Sequence, residues 1–394
     1  MSDRFRAAMF SYAPTPLAVL TRGEGARVWD ADGTEYLDFL AGIAVNALGH
    51  AHPVFVEAVS RQAATLAHVS NYFASEPQLA LAERLKRLTG GDAVFFGNSG
   101  TEVMEAAVKV ARRTGRPRIL ALEKSFHGRT LGALSITGKP ALRAPFEPLL
   151  AGPEFLPTTL EALDAALGPD VAALVLEPIK GEAGVLDLPE GYLAGARELT
   201  ARHGALLILD EIQTGAGRTG DWFAFQHAGE LPEGTTPDLV ALAKGIGGGF
   251  PIGALVAFGP AQHLLQPGDH GTTFGGNPLA TATANAVLGE IERAGLVENA
   301  RVQGERLRAG VLALAHPAIT DVSGRGLLVG VGLAGPWAKD VAAAAFELGL
   351  IVNAAADDRI RLAPPLTIVD ADVDRFLDLF STALTRIAPE RLPA

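Results

Sequence analysis

Cysteine is absent from the 394-residue chain, which excludes disulfides, iron–sulfur clusters and thiolate metal sites together. Secretion gains no support from that count. Basic residues are the minority charge: 33 Lys and Arg stand against 44 Asp and Glu, a formal net charge of −11. Phosphate backbones are bound by net basic faces, so this balance argues against nucleic acid as the main partner, although a local basic patch is compatible with it. Long apolar runs are lacking too. None approaches the ~20 residues that cross a bilayer, and Met1-Ser2-Asp3-Arg4-Phe5-Arg6 lacks a signal-peptide core. Together these absences predict a cytoplasmic protein without a membrane partner.

What is present describes a compact globular chain: 48% hydrophobic residues, only 20% charged, and 45 glycines for tight turns. The length exceeds the ~250–300 residues at which one core stops growing, which predicts a large domain and a smaller one. Apolar runs at Val94–Phe96, Ile119–Leu122, Ala172–Leu176, Leu206–Leu209, Val240–Ala243 and Ala254–Phe258 read as strands. Helical stretches at 101–113, 159–167, 190–203 and 278–294 separate or follow them. Such alternation predicts an α/β fold with a mostly parallel central sheet flanked by helices. Trp29–Phe39 reads as a hairpin around Asp32-Gly33. From about residue 320, strands at Leu327–Val331, Leu350–Val352 and Ile360–Leu362 with helices at 338–348 and 370–387 predict a second, smaller α/β unit.

In open α/β sheets ligands bind beyond the carboxyl ends of the strands, and polar residues collect there in this chain. The run Ala205–Leu209 ends in Asp210-Glu211-Ile212-Gln213, and Lys244 follows another apolar run. Pyridoxal phosphate needs such a pair, a lysine that condenses with its aldehyde and a carboxylate that keeps its ring nitrogen protonated. Gly97-Asn98-Ser99-Gly100-Thr101-Glu102 leads into a helix and offers N–H groups to a phosphate. Ser125-Phe126-His127-Gly128-Arg129-Thr130 supplies an aromatic face and a carboxylate-binding cation, with His127 reading as structural beside its glycine. Glu177 and Glu182 follow a further strand. Gly271-Thr272-Thr273-Phe274 offers a second phosphate anchor, and Arg361 ends a late strand.

Asn98–Glu102, Phe126–Thr130, Leu209–Gly220, Ala243–Gly245 and His270–Pro278, in that order, resemble the class III, fold-type I aminotransferases that use pyridoxal 5′-phosphate, and within them the acetylornithine branch. The resemblance implies an N-terminal segment (1–50) packed with a C-terminal small domain (296–394), and a large cofactor-binding domain (51–295). It implies that Lys244 forms the cofactor imine, that Asp210 pairs with the ring nitrogen and that Gln213 neighbours the ring hydroxyl. Gly100, Thr101 and a partner subunit's Thr273 would hold the phosphate in a homodimer with shared sites, and Phe126 would lie against the ring. Arg129, Thr272 and Arg361 would bind substrate, with Glu182 neutralising Arg361 when an ω-amine is bound. The implied reaction transfers the ω-amine of N-acetylornithine to 2-oxoglutarate, in arginine biosynthesis, with no metal.

Several positions depart from the family pattern. Val103 and Met104 stand where Ala and Asn are more usual, which loosens that turn as a polar surface, and Lys180 replaces a glutamine beside the proposed gate. Gly229–Thr236 reads as a longer surface loop. A basic rim from Lys180, Arg129 and Lys139 would favour an alternative, a lysine or aminoadipate-semialdehyde substrate linked to an acidic carrier protein. A semialdehyde aminomutase is the other alternative.

Overall fold

The computed structural model describes residues 2–10 and 15–386. Among them, a seven-stranded sheet carries the fold: β1 (Ala93–Gly97), β2 (Arg118–Leu122), β3 (Pro153–Leu156), β4 (Val171–Leu176), β5 (Leu206–Asp210), β6 (Leu239–Leu242) and β7 (Gly253–Ala257), in the order β1-β7-β6-β5-β4-β2-β3. All neighbours pair in parallel except β7, which runs antiparallel to both β1 and β6. Every residue of β4 and β6 is buried, because helices cover both faces, and this explains runs such as Val-Ala-Ala-Leu-Val-Leu with no polar alternation.

Helix α1 (Gly100–Arg113) covers one face with Val103, Met104, Ala107, Val110 and Ala111, all at or near full burial. The Val103 and Met104 departures are therefore core packing, both side chains being fully buried, and they offer no polar contact surface. On the other face lie Glu76–Thr89, Tyr192–His203 and Pro278–Arg293.

A second sheet joins β8 (Ile319–Arg325), β9 (Leu328–Leu333), β10 (Asn353–Ala356) and β11 (Arg359–Leu362) in the order β8-β9-β11-β10, backed by the helices Leu296–Ala313 and Ala338–Glu347, on which Asp370–Thr385 packs. The hairpin expected around Asp32-Gly33 forms between Arg27–Asp30 and Glu35–Asp38. Its second strand pairs in parallel with Leu350–Ile351, so that segment leaves the sheet its neighbours build. No described helix is long and apolar enough to cross a membrane.

Candidate active site

Parallel strands carry their last residues to one edge of the sheet, and a cavity of about 420 Å³ opens there between Asn98, Gly100, Phe126, Glu177, Asp210 and Lys244. Asp210 ends β5 and is 4% exposed. One carboxylate oxygen lies 2.8 Å from Nδ1 of His127, and the other accepts the Ile212 N–H at 3.1 Å. The imidazole is fixed in turn by its own main chain, whose N–H donates to Thr137 Oγ1 at 3.0 Å. Its Nε2 is buried without a partner. His127 thus orients the acid, a role that its place beside a glycine did not announce.

Glu177, the first residue after β4, accepts the Phe126 N–H at 2.9 Å. Burial pushes its carboxyl up to about 7, with His127 opposing and Asp210 reinforcing the shift. Lys244 follows β6 in a short turn (Lys244–Ile246) with φ of +49°, a conformation costing a residue with a β-carbon about 1–2 kcal/mol. Strain of this kind persists where the surroundings over-determine it, often at functional sites. Burial brings the Lys244 ammonium down to about 8, against the pull of Glu182 and with the help of Arg361.

The phosphate-like end of the cavity is the start of α1. Ser99 caps it, and the N–H groups of Gly100 and Thr101 lie in the first turn, where helical geometry supplies no intrahelical acceptor. A β-carbon on Gly100 would lie 2.8 Å from the end of the Ile212 side chain, which would have to shift to make room for it. Thr101 and Thr130 hydroxyls sit 2.7 Å apart, joining the turn to the Phe126–Thr130 loop. Arg129 is exposed, its guanidinium 5.6 Å from the centre of the Phe126 ring.

On the opposite side Arg361 of β11 is 1% exposed and donates to Glu182 Oε1 at 2.5 Å, Gln213 Oε1 at 3.2 Å and Asn353 Oδ1 at 2.8 Å. Its Nε is buried and unpartnered. Burial alone would raise the Glu182 carboxyl, but the Arg361 guanidinium prevails and holds it below the usual range. The structure therefore brings Gly100, Thr101, Phe126, Arg129, Glu182, Asp210, Gln213 and Lys244 to one cavity, with Arg361 directly behind Glu182 and Gln213. Thr272 and Thr273 are not on its wall. Thr272 Oγ1 accepts from Asn98 Nδ2 at 3.2 Å, its carbonyl accepts from Asn71, and Thr273 is exposed.

The basic rim does not form. Lys180 is 6% exposed and donates to the Glu123 carbonyl at 2.9 Å and Thr158 Oγ1 at 2.6 Å, away from the gate, and Lys139 is half-buried. Only Arg129 of the three faces solvent. No cluster of metal-ligating side chains occurs among the described residues.

Residues 10–384 match the aminotransferase class-III family. The chain is 53% identical over 390 residues to an acetylornithine aminotransferase of Mycobacterium tuberculosis, covering 98% of this chain and 96% of the relative. It is 52% identical to that of Streptomyces coelicolor, with the same coverage. Among solved structures it superposes on an ornithine aminotransferase of Toxoplasma gondii described with partial occupancy of PLP at its active site (TM-score 0.91, 33% identity, 99% of this chain and 94% of that one). An acetylornithine aminotransferase of Elizabethkingia anophelis matches with TM-score 0.84, 33% identity and 98% of both chains.

Proposed function

The chain belongs to the class-III aminotransferases, enzymes that depend on pyridoxal 5′-phosphate, and from that premise we infer that it moves the ω-amine of N-acetylornithine to 2-oxoglutarate, giving N-acetylglutamate 5-semialdehyde and glutamate. The observation that carries this reading is the Arg361–Glu182 contact at 2.5 Å. An enzyme serving an ω-amine and a dicarboxylate in turn needs a second cation that can be masked and unmasked. Bidentate recognition of a carboxylate suits arginine.

The residues fit the cofactor. The cavity joins a buried carboxylate, an aromatic wall, a helix start and a lysine whose amine is partly neutral. When bound, the cofactor supplies an electron-accepting ring and an aldehyde that carries the amine between substrates. Lys244, whose buried amine is partly neutral, would hold that aldehyde and would serve as the base at the amine-bearing carbon. Asp210, oriented by His127, would pair with the ring nitrogen, Gln213 would neighbour the ring hydroxyl, and Phe126 would lie against the ring. The N–H groups of Gly100 and Thr101 would take the phosphate, and Thr273 of the partner subunit would complete its binding in a homodimer. Arg129 would bind the substrate's distal end, with Thr272 reaching it only as Thr273 does, from the partner subunit, since it is off the wall of its own chain's cavity, and Arg361 would bind the α-carboxylate of glutamate. In this reading residues 51–295 form the cofactor-binding domain, and the segment 1–50 packs with the small domain 296–394. The reaction belongs to arginine biosynthesis in the cytoplasm.

A donor screen tests the assignment. Purified protein loaded with cofactor and given 2-oxoglutarate should release glutamate with N-acetylornithine at a kcat/KM at least about tenfold above ornithine or acetyl-lysine. Preference for a lysine derivative, or no glutamate from any donor, overturns it.

A further inference from the structure

Glu182 sits in a short turn (Gly181–Ala183) that is gripped from two sides. Arg359 Nε donates to the Gly184 carbonyl at 2.9 Å and Ser323 Oγ to the Val185 carbonyl at 2.5 Å, which fixes the turn to the β8–β11 sheet. From the other side the half-buried Lys139 Nζ donates to the main-chain carbonyl of Glu182 at 2.6 Å. Lys139 stands outside the cavity wall. Its ammonium, pushed down by burial, faces Glu182 and Glu177 as anions and Arg361 and Arg129 as cations.

Resting on the dual-substrate reading above, we propose that Lys139 is the second counter-ion of Glu182, the partner its carboxylate takes when a substrate carboxylate claims Arg361. A displaced Glu182 would otherwise be a half-buried anion without a cation, a state whose desolvation cost opposes opening of the gate. An ammonium on a residue's own carbonyl lies within reach of that residue's carboxylate by rotation about Cα–Cβ and Cβ–Cγ. The other cations that Glu182 senses, Arg361 and Lys244, are occupied by substrate carboxylate and by the reaction. Because Lys139, Arg359 and Ser323 hold main-chain atoms, the turn stays in place while the side chain moves. Lys139 is then a positioning residue that sets the affinity for dicarboxylates, and it never touches substrate.

The test is a double-mutant cycle on the cofactor-loaded enzyme, read as the dissociation constant of glutarate by calorimetry. Glutarate is a dicarboxylate that carries neither an amine nor a keto group. Lys139→Met should weaken glutarate by about tenfold, and in a Glu182→Gln background the same change should cost less than about twofold, because no displaced anion remains to be received. Lys139→Gln, which can still donate to the Glu182 carbonyl, should behave like Lys139→Met, and Lys139→Arg should recover most of the affinity. The glutamate half-reaction should fall by about tenfold more than the acetylornithine half-reaction. An undiminished loss in the Glu182→Gln background means that Lys139 acts on the ligand directly, and full affinity in Lys139→Gln means that it merely anchors the turn. Either result overturns the proposal. Turnover with a different donor would sink the assignment of N-acetylornithine and leave the glutarate cycle readable, whereas normal donor preference with an additive cycle sinks the role of Lys139 alone.

Discussion

Lys244 is moved out of water by the fold, and the consequence for its proposed role is measurable in pH. With a pKa of about 8, roughly 10% of its amine is neutral at pH 7, against roughly 0.03% for an unperturbed lysine. Burial depresses the value, so the nucleophilic form grows as pH rises toward 8 and saturates above it. Covalent capture of pyridoxal phosphate by the apoprotein, followed by absorbance, should accelerate about tenfold per pH unit from 6 to 7 and level off above about 8. A rate still climbing beyond pH 10 would contradict a desolvated amine. Glu182 opposes the shift, so Glu182→Gln should move the inflection lower, and Lys244→Ala should capture no cofactor and turn nothing over. Lys244 and Asp210 were legible because each closes an apolar run that only a buried strand explains. Lys139 was not, since its partner is a main-chain carbonyl 43 residues away that only the finished fold delivers. His127 was equally opaque: its meaning comes from Asp210, 83 residues along the chain.

At the scale of elements, strands covered on both faces could be read from hydrophobicity alone, and β1, β2, β4, β5, β6 and β7 fall within about a residue of the apolar runs that foretold them. The strands that went unread have physical reasons to be silent. β3 begins with Pro153, at the sheet edge where a missing N–H is tolerated. β10 reads Asn-Ala-Ala-Ala, without a β-branched or aromatic residue, and exists because β11 supplies its partner. Packing between elements is likewise invisible in the local pattern. Gly304 lies inside the helix Leu296–Ala313, where glycine is a poor choice by propensity. A β-carbon there would stand 2.1 Å from the Gly326 carbonyl oxygen, in the turn between β8 and β9. Overpacking against backbone costs about 1–3 kcal/mol, the upper end for a contact this close, and alanine gains ~1 kcal/mol in a helix, so Gly304→Ala should lower the denaturant-derived stability by about 1–2 kcal/mol net. Gly310→Ala in the same helix meets only the end of the Leu377 side chain, which can rotate away, and should cost much less. Equal losses at the two positions would show that the backbone contact is not what selects glycine at 304.

For the molecule as a whole, the arrangement of Thr272 and Thr273 argues for a second copy. The loop that carries them is tied to Asn71 through the Thr272 carbonyl, and Phe274 packs against His68 with ring centres 5.1 Å apart. Around that junction Tyr72, Phe73 and Phe274 are 92%, 67% and 60% exposed, a cluster of large apolar side chains that a chain of net charge −11 gains nothing by showing to water. In the proposed homodimer a second protomer would cover these rings and carry Thr273 toward a neighbouring cavity, which would make dimer formation and phosphate binding one event. Replacing Tyr72 and Phe274 together by aspartate should halve the mass seen in sedimentation equilibrium, since central aromatic anchors supply much of an interface's energy. The same variant should bind cofactor at least about tenfold more weakly while keeping the melting behaviour of a folded chain, because the site would lose a phosphate ligand and the fold would not. A monomer with undiminished cofactor affinity would show that each cavity is complete in itself. A variant that remains dimeric would place the interface elsewhere.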